Sequence, residues 1–409
     1  MEQWKKYQLK DVTTLLGDGL HGTPKYDKNG TVFFINGNNL VDGKIEIKDS
    51  TKRVSEDEAN KYRKNLNHRT ILVSINGTIG NVAKYQGEAC ILGKSACYFN
   101  VAEDFDLNFI YYVVASQQFK NSIMHLATGT TIKNVSLETM RNYSFVAPSI
   151  NEQKRISSLL SSLDNKIDLN RRINDNLEQQ AQALFKSWFV DFEPFKDGKF
   201  VESELGIIPK GWRVGKAEDF YYINIGKTPP RKEQVWFSSN SSDYIWVSIS
   251  DLGSCGRFVF TSSEFLTHEA IKRHNIILVP KDTILLSFKL TIGRVGIAGT
   301  ELTTNEAIAR FITSDENREY TYFLLKGYNY EKLGSTSSIA TAVNSKIIKA
   351  MVVLMPDKEI LKAFSSLAKP YFDQILRNEQ ESIRLTILRD TLLPKLMSGE
   401  LKINATEVL

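Results

Sequence analysis

Three short patterns in this chain have the residue types for chemistry, and each lacks a part that the chemistry requires. Gly226-Lys227-Thr228 has the ending of a phosphate-binding loop, in which backbone N–H groups and a lysine cradle a nucleotide's phosphates. The glycine that opens such a loop is replaced by Tyr221, and Pro229-Pro230 follow where a helix has to begin, so a turn is expected. Glu152-Gln153-Lys154 has the E-x-K spacing of a nuclease site, but no Pro-Asp pair precedes it. It falls at the start of a long helical pattern, where an acidic residue favours the helix dipole. His21, His68, His125, His268 and His274 show no HExxH spacing, and Cys90, Cys97 and Cys255 no C-x-x-C pair. With no G-x-G-x-x-G loop after a strand and no G-x-S-x-G elbow, no catalytic residues, no metal site and no bound cofactor are expected.

Binding chemistry is better represented. Between Asn60 and Asn100 stand Lys61, Arg63, Lys64, Arg69, Lys84 and Lys94 against the single acid Glu88, which equals the formal charge of +5 carried by all 409 residues. Cations around the loop Asn76-Gly77-Thr78-Ile79-Gly80-Asn81 are suited to neutralise phosphates while Asn, Thr and Lys side chains read base edges. The candidate DNA contacts, chosen for loop position and chemistry, are Lys25, Tyr26, Asn36, Asn38, Asn76, Thr78, Asn81, Lys84, Lys94 and Lys133 in the first half. In the second half they are Lys227, Thr228, Arg231, Lys232, Ser250, Lys289, Thr291, Arg294 and Asn305.

What positions these residues is a repeat. At a spacing of 208, Trp4 matches Trp212, Pro148 matches Pro356, and Ile156, Leu163, Asn170, Leu177 and Leu184 match Phe364, Tyr371, Asn378, Leu385 and Leu392. ILVSINGTIGNV at 71 to 82 matches ILLSFKLTIGRV at 284 to 295, with a slip of the kind that loop insertions produce. Framework positions agree between the copies while loop residues differ, as in two readers of different sequences built on one scaffold. Each copy opens with short Val-, Ile- and aromatic-rich runs such as Thr31 to Ile35, Thr70 to Ile75 and Tyr244 to Ile249, broken by Gly, Asn and Pro. Helices are expected over Ser55 to Asn65, Leu107 to Leu126, Thr267 to His274 and Tyr320 to Leu333. Each copy closes with a long amphipathic helix on a seven-residue spacing, the first from Asn151 to Phe189, the second expected to kink or restart at Pro370. Asn170 and Asn378 occupy the central heptad positions, where their side chains can hydrogen-bond each other and fix register in either helix orientation.

The fold class is therefore α+β, with two homologous mixed domains, two long helices and an internal repeat. The boundaries are set at 1–149, 150–195, 196–356 and 357–409. With 42% hydrophobic and 24% charged residues the chain is globular, without a polybasic tail. No apolar run has the length of a membrane span and the N-terminal residues have no apolar signal core, so a cytoplasmic protein with reduced cysteines is expected.

Several segments resemble the specificity subunit of type I restriction-modification enzymes, and the resemblance extends over the whole chain. They are the two TIG loops with their preceding strands, Gly129-Thr130-Thr131 leading to Pro148, the helix start Asn151-Glu152-Gln153-Lys154-Arg155-Ile156 and the helix end Leu184-Phe185-Lys186-Ser187-Trp188-Phe189. Pro209-Lys210-Gly211-Trp212 and the closing stretch Leu388 to Leu401 complete them. The second helix departs from the pattern, beginning Asp357-Lys358-Glu359-Ile360. The resemblance implies two target recognition domains joined by an antiparallel coiled coil with pseudo-twofold symmetry. It implies binding of a bipartite double-stranded DNA target, with the helices setting the spacer. It also implies a non-catalytic chain whose partners, two methylation subunits and restriction subunits, use S-adenosylmethionine, ATP and magnesium to methylate adenine or to cleave. A stand-alone DNA-binding regulator or an antirestriction decoy could be built from the same modules.

Overall fold

The computed structural model describes residues 4–129, 133–333 and 343–403; Thr130 and Thr131 lie outside the described residues. The chain forms two compact units, one of Met1–Ile167 with Arg384–Leu409 and one of Asp168–Ile383, so the division falls inside both long helices.

In the first unit the strands Thr13–Asp18, Ala96–Val101, Thr70–Ser74 and Val82–Lys84 lie side by side in that order, each antiparallel to its neighbour. A smaller sheet has Val32–Ile35 between Arg53–Val54 and Cys90–Leu92, the latter parallel to it. Lys5–Gln8 pairs with Ser144–Ala147. The expected helix from Leu107 to Leu126 is two helices, Leu107–Ala115 and Gln117–His125. Ser116 sits between them in an extended conformation, and its side chain accepts from the Phe119 N–H to cap the second. Ile71, Val73, Phe99, Phe109 and Phe119 form the core with Ile156 and Leu160 of the central helix and Leu396 of the C-terminal one.

The second unit repeats this plan. Tyr222–Ile225, Ile308–Ile312, Ile284–Ser287 and Val295–Ala298 stand in the same antiparallel order, with Phe258–Val259 added in parallel at the edge. Arg213 pairs with Met355 as Lys5 pairs with Ala147, a shift of 208 at both positions. Tyr244–Val247 runs parallel to Thr303–Thr304 as Val32–Ile35 does to Cys90–Leu92. The run expected as a strand to Ile249 stops at Val247, because Ser248 accepts from the Asp251 N–H and starts the helix Ile249–Ser254. The helix expected from Tyr320 to Leu333 is Arg318–Lys326 followed, after Gly327, by a 3₁₀ turn at Tyr330–Leu333.

The central helix is Ile150–Phe189 and the C-terminal helix Lys358–Ser398. Contrary to expectation the latter does not restart at Pro370. Phe364, Ala368, Phe372 and Ile375 are fully buried on one face while Pro370 faces solvent, where water can serve the carbonyl that loses its partner. Burying two phenylalanines and an isoleucine gains about 1.5–3 kcal/mol each, which exceeds the roughly 3 kcal/mol cost of a proline in a helix interior. Within each unit the helix segments run antiparallel. In the second, residues near 170 meet residues near 382 and Phe185 meets Phe364; in the first, Asp164 takes a bond from Arg389 Nη1 at 2.7 Å.

The seam differs from the expected Asn–Asn pair. Asn170, fully buried, donates from Nδ2 to the Asn378 carbonyl at 3.4 Å, to Glu381 at 2.8 Å and to Ser382 at 3.3 Å, while Asn378 Nδ2 donates to Asn174 Oδ1 at 2.8 Å. The two amides are offset by one helical turn, so each meets a polar residue four positions beyond the other. The repeat spacing carries Asn170–Ser382 onto Asn378–Asn174, so these two bonds are equivalent.

No described helix is long and apolar enough to cross a membrane. Cys90 and Cys97 are buried and Cys255 half-buried, all as free thiols; burial pushes the Cys90 thiol up to about 12. Among the described residues no three His, Cys, Asp or Glu side chains converge to hold a metal ion.

Candidate nucleic-acid interface

Antiparallel order brings alternate strand connections to one end of a sheet. In the first unit Asp18 and Ser74 end their strands beside Cys97 and Ala96, so the segments after Asp18, around Gly93 to Ser95 and from Ile75 to Asn81 emerge together. One serine fastens the last of these. Its Ser74 Oγ accepts from the Asn81 N–H at 2.8 Å, its carbonyl from Gly80 at 2.9 Å, and its own N–H reaches the Asn81 carbonyl at 2.8 Å. Gly77 and Gly80 take the positive φ values, 72° and 85°, that close so short a loop.

Neighbouring segments tie into this end. Ile75 N–H donates to the Ser95 carbonyl at 2.9 Å, Ser95 Oγ to Asn36 Oδ1 at 3.0 Å, and Asn76 Nδ2 to Asn134 Oδ1 at 3.1 Å. Gly77 N–H donates to the Lys133 carbonyl at 3.3 Å. The structure thus gathers Asn36, Asn38, Asn76, Thr78, Asn81, Lys94 and Lys133 at one sheet end. Asn36 and Asn76 spend an amide group on holding the loops, while Asn38, Thr78, Lys94 and Lys133 are exposed. Lys25 and Tyr26 are exposed on the segment that follows Asp18. The Lys25 N–H donates to Glu58 at 2.8 Å and the Tyr26 ring lies 6.0 Å from that of Phe34.

The basic cluster read between Asn60 and Asn100 does not form a patch. Lys61 pairs with Glu58 at 2.8 Å, Arg63 with Glu56, and Arg69 Nε and Nη2 donate to the carbonyls of Val101, Ala102 and Phe105 at 2.7–2.8 Å. Lys84 lies at the far end of its strand, donates to Asn108 Oδ1 at 2.9 Å and covers the Tyr111 ring; burial lowers its pKa. The reason is strand geometry. Arg69 precedes and the loop follows a five-residue strand, roughly 16 Å of separation that adjacency in sequence conceals.

The second unit builds the same end. Ser287 Oγ accepts from the Arg294 N–H at 3.0 Å and donates to the Thr291 carbonyl at 2.6 Å, and its carbonyl takes the Gly293 N–H at 3.0 Å. Phe288 N–H donates to the Ala307 carbonyl at 2.9 Å, just as Ile75 does to Ser95. Lys227 N–H donates to the Thr304 carbonyl at 2.9 Å and Thr228 to the Glu306 carboxylate, so Lys227, Thr228, Asn305, Lys289, Thr291 and Arg294 converge. Arg294 Nη1 donates to the Ile249 carbonyl at 2.7 Å, which sets exposed Ser250 beside the loop. Lys289, Thr291 and Lys232 are exposed. Arg231 is held bidentately by Glu264 at 2.9 Å and stacks over Phe237 and Trp246 at 4.4 and 4.5 Å, which fixes its planar group against the fold.

Sequence reasoning missed the fastening serines, although Ser74 and Ser287 stand at the same place in both copies, and it missed Asn134. It also left Gln153 without a role. Gln153 is buried, accepting from the Asp106 N–H at 3.0 Å and donating to the Pro148 carbonyl at 2.9 Å, which makes the E-x-K segment a helix-start clamp.

The profile of the type I restriction modification DNA specificity domain matches residues 1–179 and again 209–385. The MjaIX specificity subunit of a type I restriction enzyme of Methanocaldococcus jannaschii is 30% identical over 306 residues, covering 72% of this chain and 69% of that one. The HindI specificity subunit of Haemophilus influenzae is 26% identical over 66% of this chain and 72% of that one. The crystal structure of the S subunit of a type I restriction-modification system from M. genitalium superposes with a TM-score of 0.55 at 18% identity, over 97% of this chain and 96% of that one, a likeness of fold. With both copies of the repeat matched by one profile, the chain belongs to the type I restriction-modification DNA specificity family.

Proposed function

We propose that this chain is the DNA-recognition subunit of a type I restriction-modification complex, binding a bipartite duplex target and carrying no catalytic residues of its own. The observation that carries the reading is the duplicated sheet end, where a serine-fastened TIG loop and its neighbours present exposed Lys and Thr side chains in each unit, joined by exposed Asn38 in the first. Such groups neutralise phosphates and read base edges. Residues 1–149 and 196–356 act as the two target recognition domains, with 150–195 and 357–409 as spacer helices. The helices pair as an antiparallel coiled coil that relates the domains by a pseudo-twofold axis. A helix of 40 residues is about 60 Å long, enough to set a spacer beyond one turn of duplex. The partners are two adenine-methylating subunits, which bring S-adenosylmethionine, and restriction subunits, which use ATP and magnesium; the chain itself holds no cofactor. It works in the cytoplasm, where its DNA is.

Modified-base sequencing of a host that expresses the chain with its methylation partner tests this. The expected result is methylated adenine in two short half-sites at a fixed separation. Methylation independent of this chain, or in an unsplit site, overturns the reading.

A further inference from the structure

The two TIG loops share a fastening and differ at the tip. In the first copy Gly77 takes a φ of 72°, and Ile79 behind it is buried. In the second copy the corresponding position is Leu290, with a φ of 58°, a backbone conformation in which a branched side chain is strained. Leu290 is 99% exposed and Ile292 38% exposed, so burial does not compensate for that strain. Lys289 and Thr291 flank it and are exposed too, and Lys227, Asn305 and Arg294 stand at the same sheet end. Strain kept at a residue that contributes nothing to the core marks a position whose side chain is used elsewhere.

We propose that Leu290 is a specificity-determining residue, which packs its methyl groups against the C5-methyl of a thymine in the major groove of the half-site read by the second unit. The proposal rests on the reading of the chain as a DNA-recognition subunit. An apolar side chain among phosphate-neutralising cations has one base-edge partner of matching chemistry in that groove, the thymine methyl; the other edges present hydrogen-bond donors and acceptors. Ser287 holds both ends of the loop, so the tip meets the groove already ordered, at little further entropic cost. The first unit, with glycine at this place, reads its half-site through Asn and Thr side chains, and the two half-sites are recognised by different chemistry.

The test is a cycle of one protein change and one base change. A duplex is selected from a randomised pool by the full chain, and each thymine of the second half-site is replaced in turn by deoxyuridine, which removes only the methyl. The wild-type chain is expected to lose about fourfold in affinity at one of these positions, the effect of one methyl-sized contact. Leu290→Gly, which also relieves the backbone strain and melts no lower than wild type, is expected to bind the thymine duplex about as weakly as wild type binds the uracil one. The same variant should show no further loss on uracil substitution. An unchanged affinity for L290G, or a loss that is independent of every thymine methyl, overturns the assignment of Leu290. A wild-type chain that enriches no sequence from the pool overturns the DNA reading itself, a separate outcome.

Discussion

Glu178 and Glu379 are two buried or half-buried carboxylates of the second unit with opposite electrostatics. Burial acts to raise the Glu178 carboxyl, but hydrogen bonds from Lys326 and Tyr322 and the charge of Arg257 outweigh it, holding the group below the ordinary carboxylate range. Its stabilising contribution is therefore present above the unfolded-state carboxylate pKa and is lost as pH falls through its lower native value. Glu178→Gln leaves Arg257 and Lys326 short of their counter-charge, with an expected cost of about 3 kcal/mol at pH 7. Urea denaturation at pH 7 and pH 3.5 checks this: the gap between wild type and variant has to narrow at the lower pH. Glu379 is raised by burial, despite accepting from the Arg257 and Phe258 N–H groups at 2.7 and 2.9 Å. The stability tied to its proton is fully present below the unfolded-state pKa and fades as pH rises through the native one. Glu379→Gln therefore flattens the neutral side of the stability profile. The loop serines act at the same scale. Ser287→Ala removes a donor and an acceptor and is expected to cost about 1–2 kcal/mol, with relaxed discrimination in one half-site only, read by methylated-site sequencing.

Among the elements, the C-terminal helix offers the clearest case. Pro370 is exposed within an unbroken helix whose opposite face is buried, so Pro370→Ala restores a backbone hydrogen bond without disturbing packing. It should raise stability by about 1–3 kcal/mol, measured as a higher melting temperature; an unchanged or lower value counts against a proline held in place by its neighbours. Periodicity made the central helix legible within a residue of its ends, because apolar spacing over many turns accumulates, whereas the C-terminal helix was legible in its seam but not in its unbroken passage through Pro370 or its end at Ser398. The breaks at Ser116 and Ser248 were not legible, since a serine within an apolar run looks the same whether it caps a helix or sits on one. The candidate site was legible as loops, because the TIG motif stands after a strand in both copies. Its members were less so: Lys84 and Arg231 differ from Lys94 and Lys289 only through partners that sequence spacing does not encode, Asn108 and Tyr111 for one, Glu264 for the other. The seam shows the same limit. Heptads brought Asn170 and Asn378 to the middle of the helices, but the one-turn offset that pairs each with Ser382 or Asn174 depends on packing.

For the whole molecule, the repeat makes recognition and spacing separable. On the proposed reading the half-sites belong to the sheet ends and the spacer to the helices. Because the segments run antiparallel, one heptad inserted after Asn174 is matched by one inserted before Asn378, and the polar seam from Asn170–Ser382 to Asn174–Asn378 is preserved. Seven residues add about 10 Å, or roughly three base pairs of duplex. Methylated-site sequencing is expected to return the same half-sites with a longer spacer. A changed half-site, or an unaltered separation, contradicts the division of labour.

Ser74 and Ser287 fasten their loops by bonds to the glycine and the following residue that close the loop, and the remaining ties run through backbone groups and the Asn76 amide rather than through the exposed tip side chains. The exposed tip side chains Thr78, Lys289 and Thr291 therefore contribute little to folding, and mutation there is close to neutral for stability. On the proposed reading a lineage can vary these exposed side chains, each variant folded and with an altered target, without passing through an unstable intermediate. A framework of this kind separates the stability of the fold from the choice of target, so that the one can be kept while the other changes.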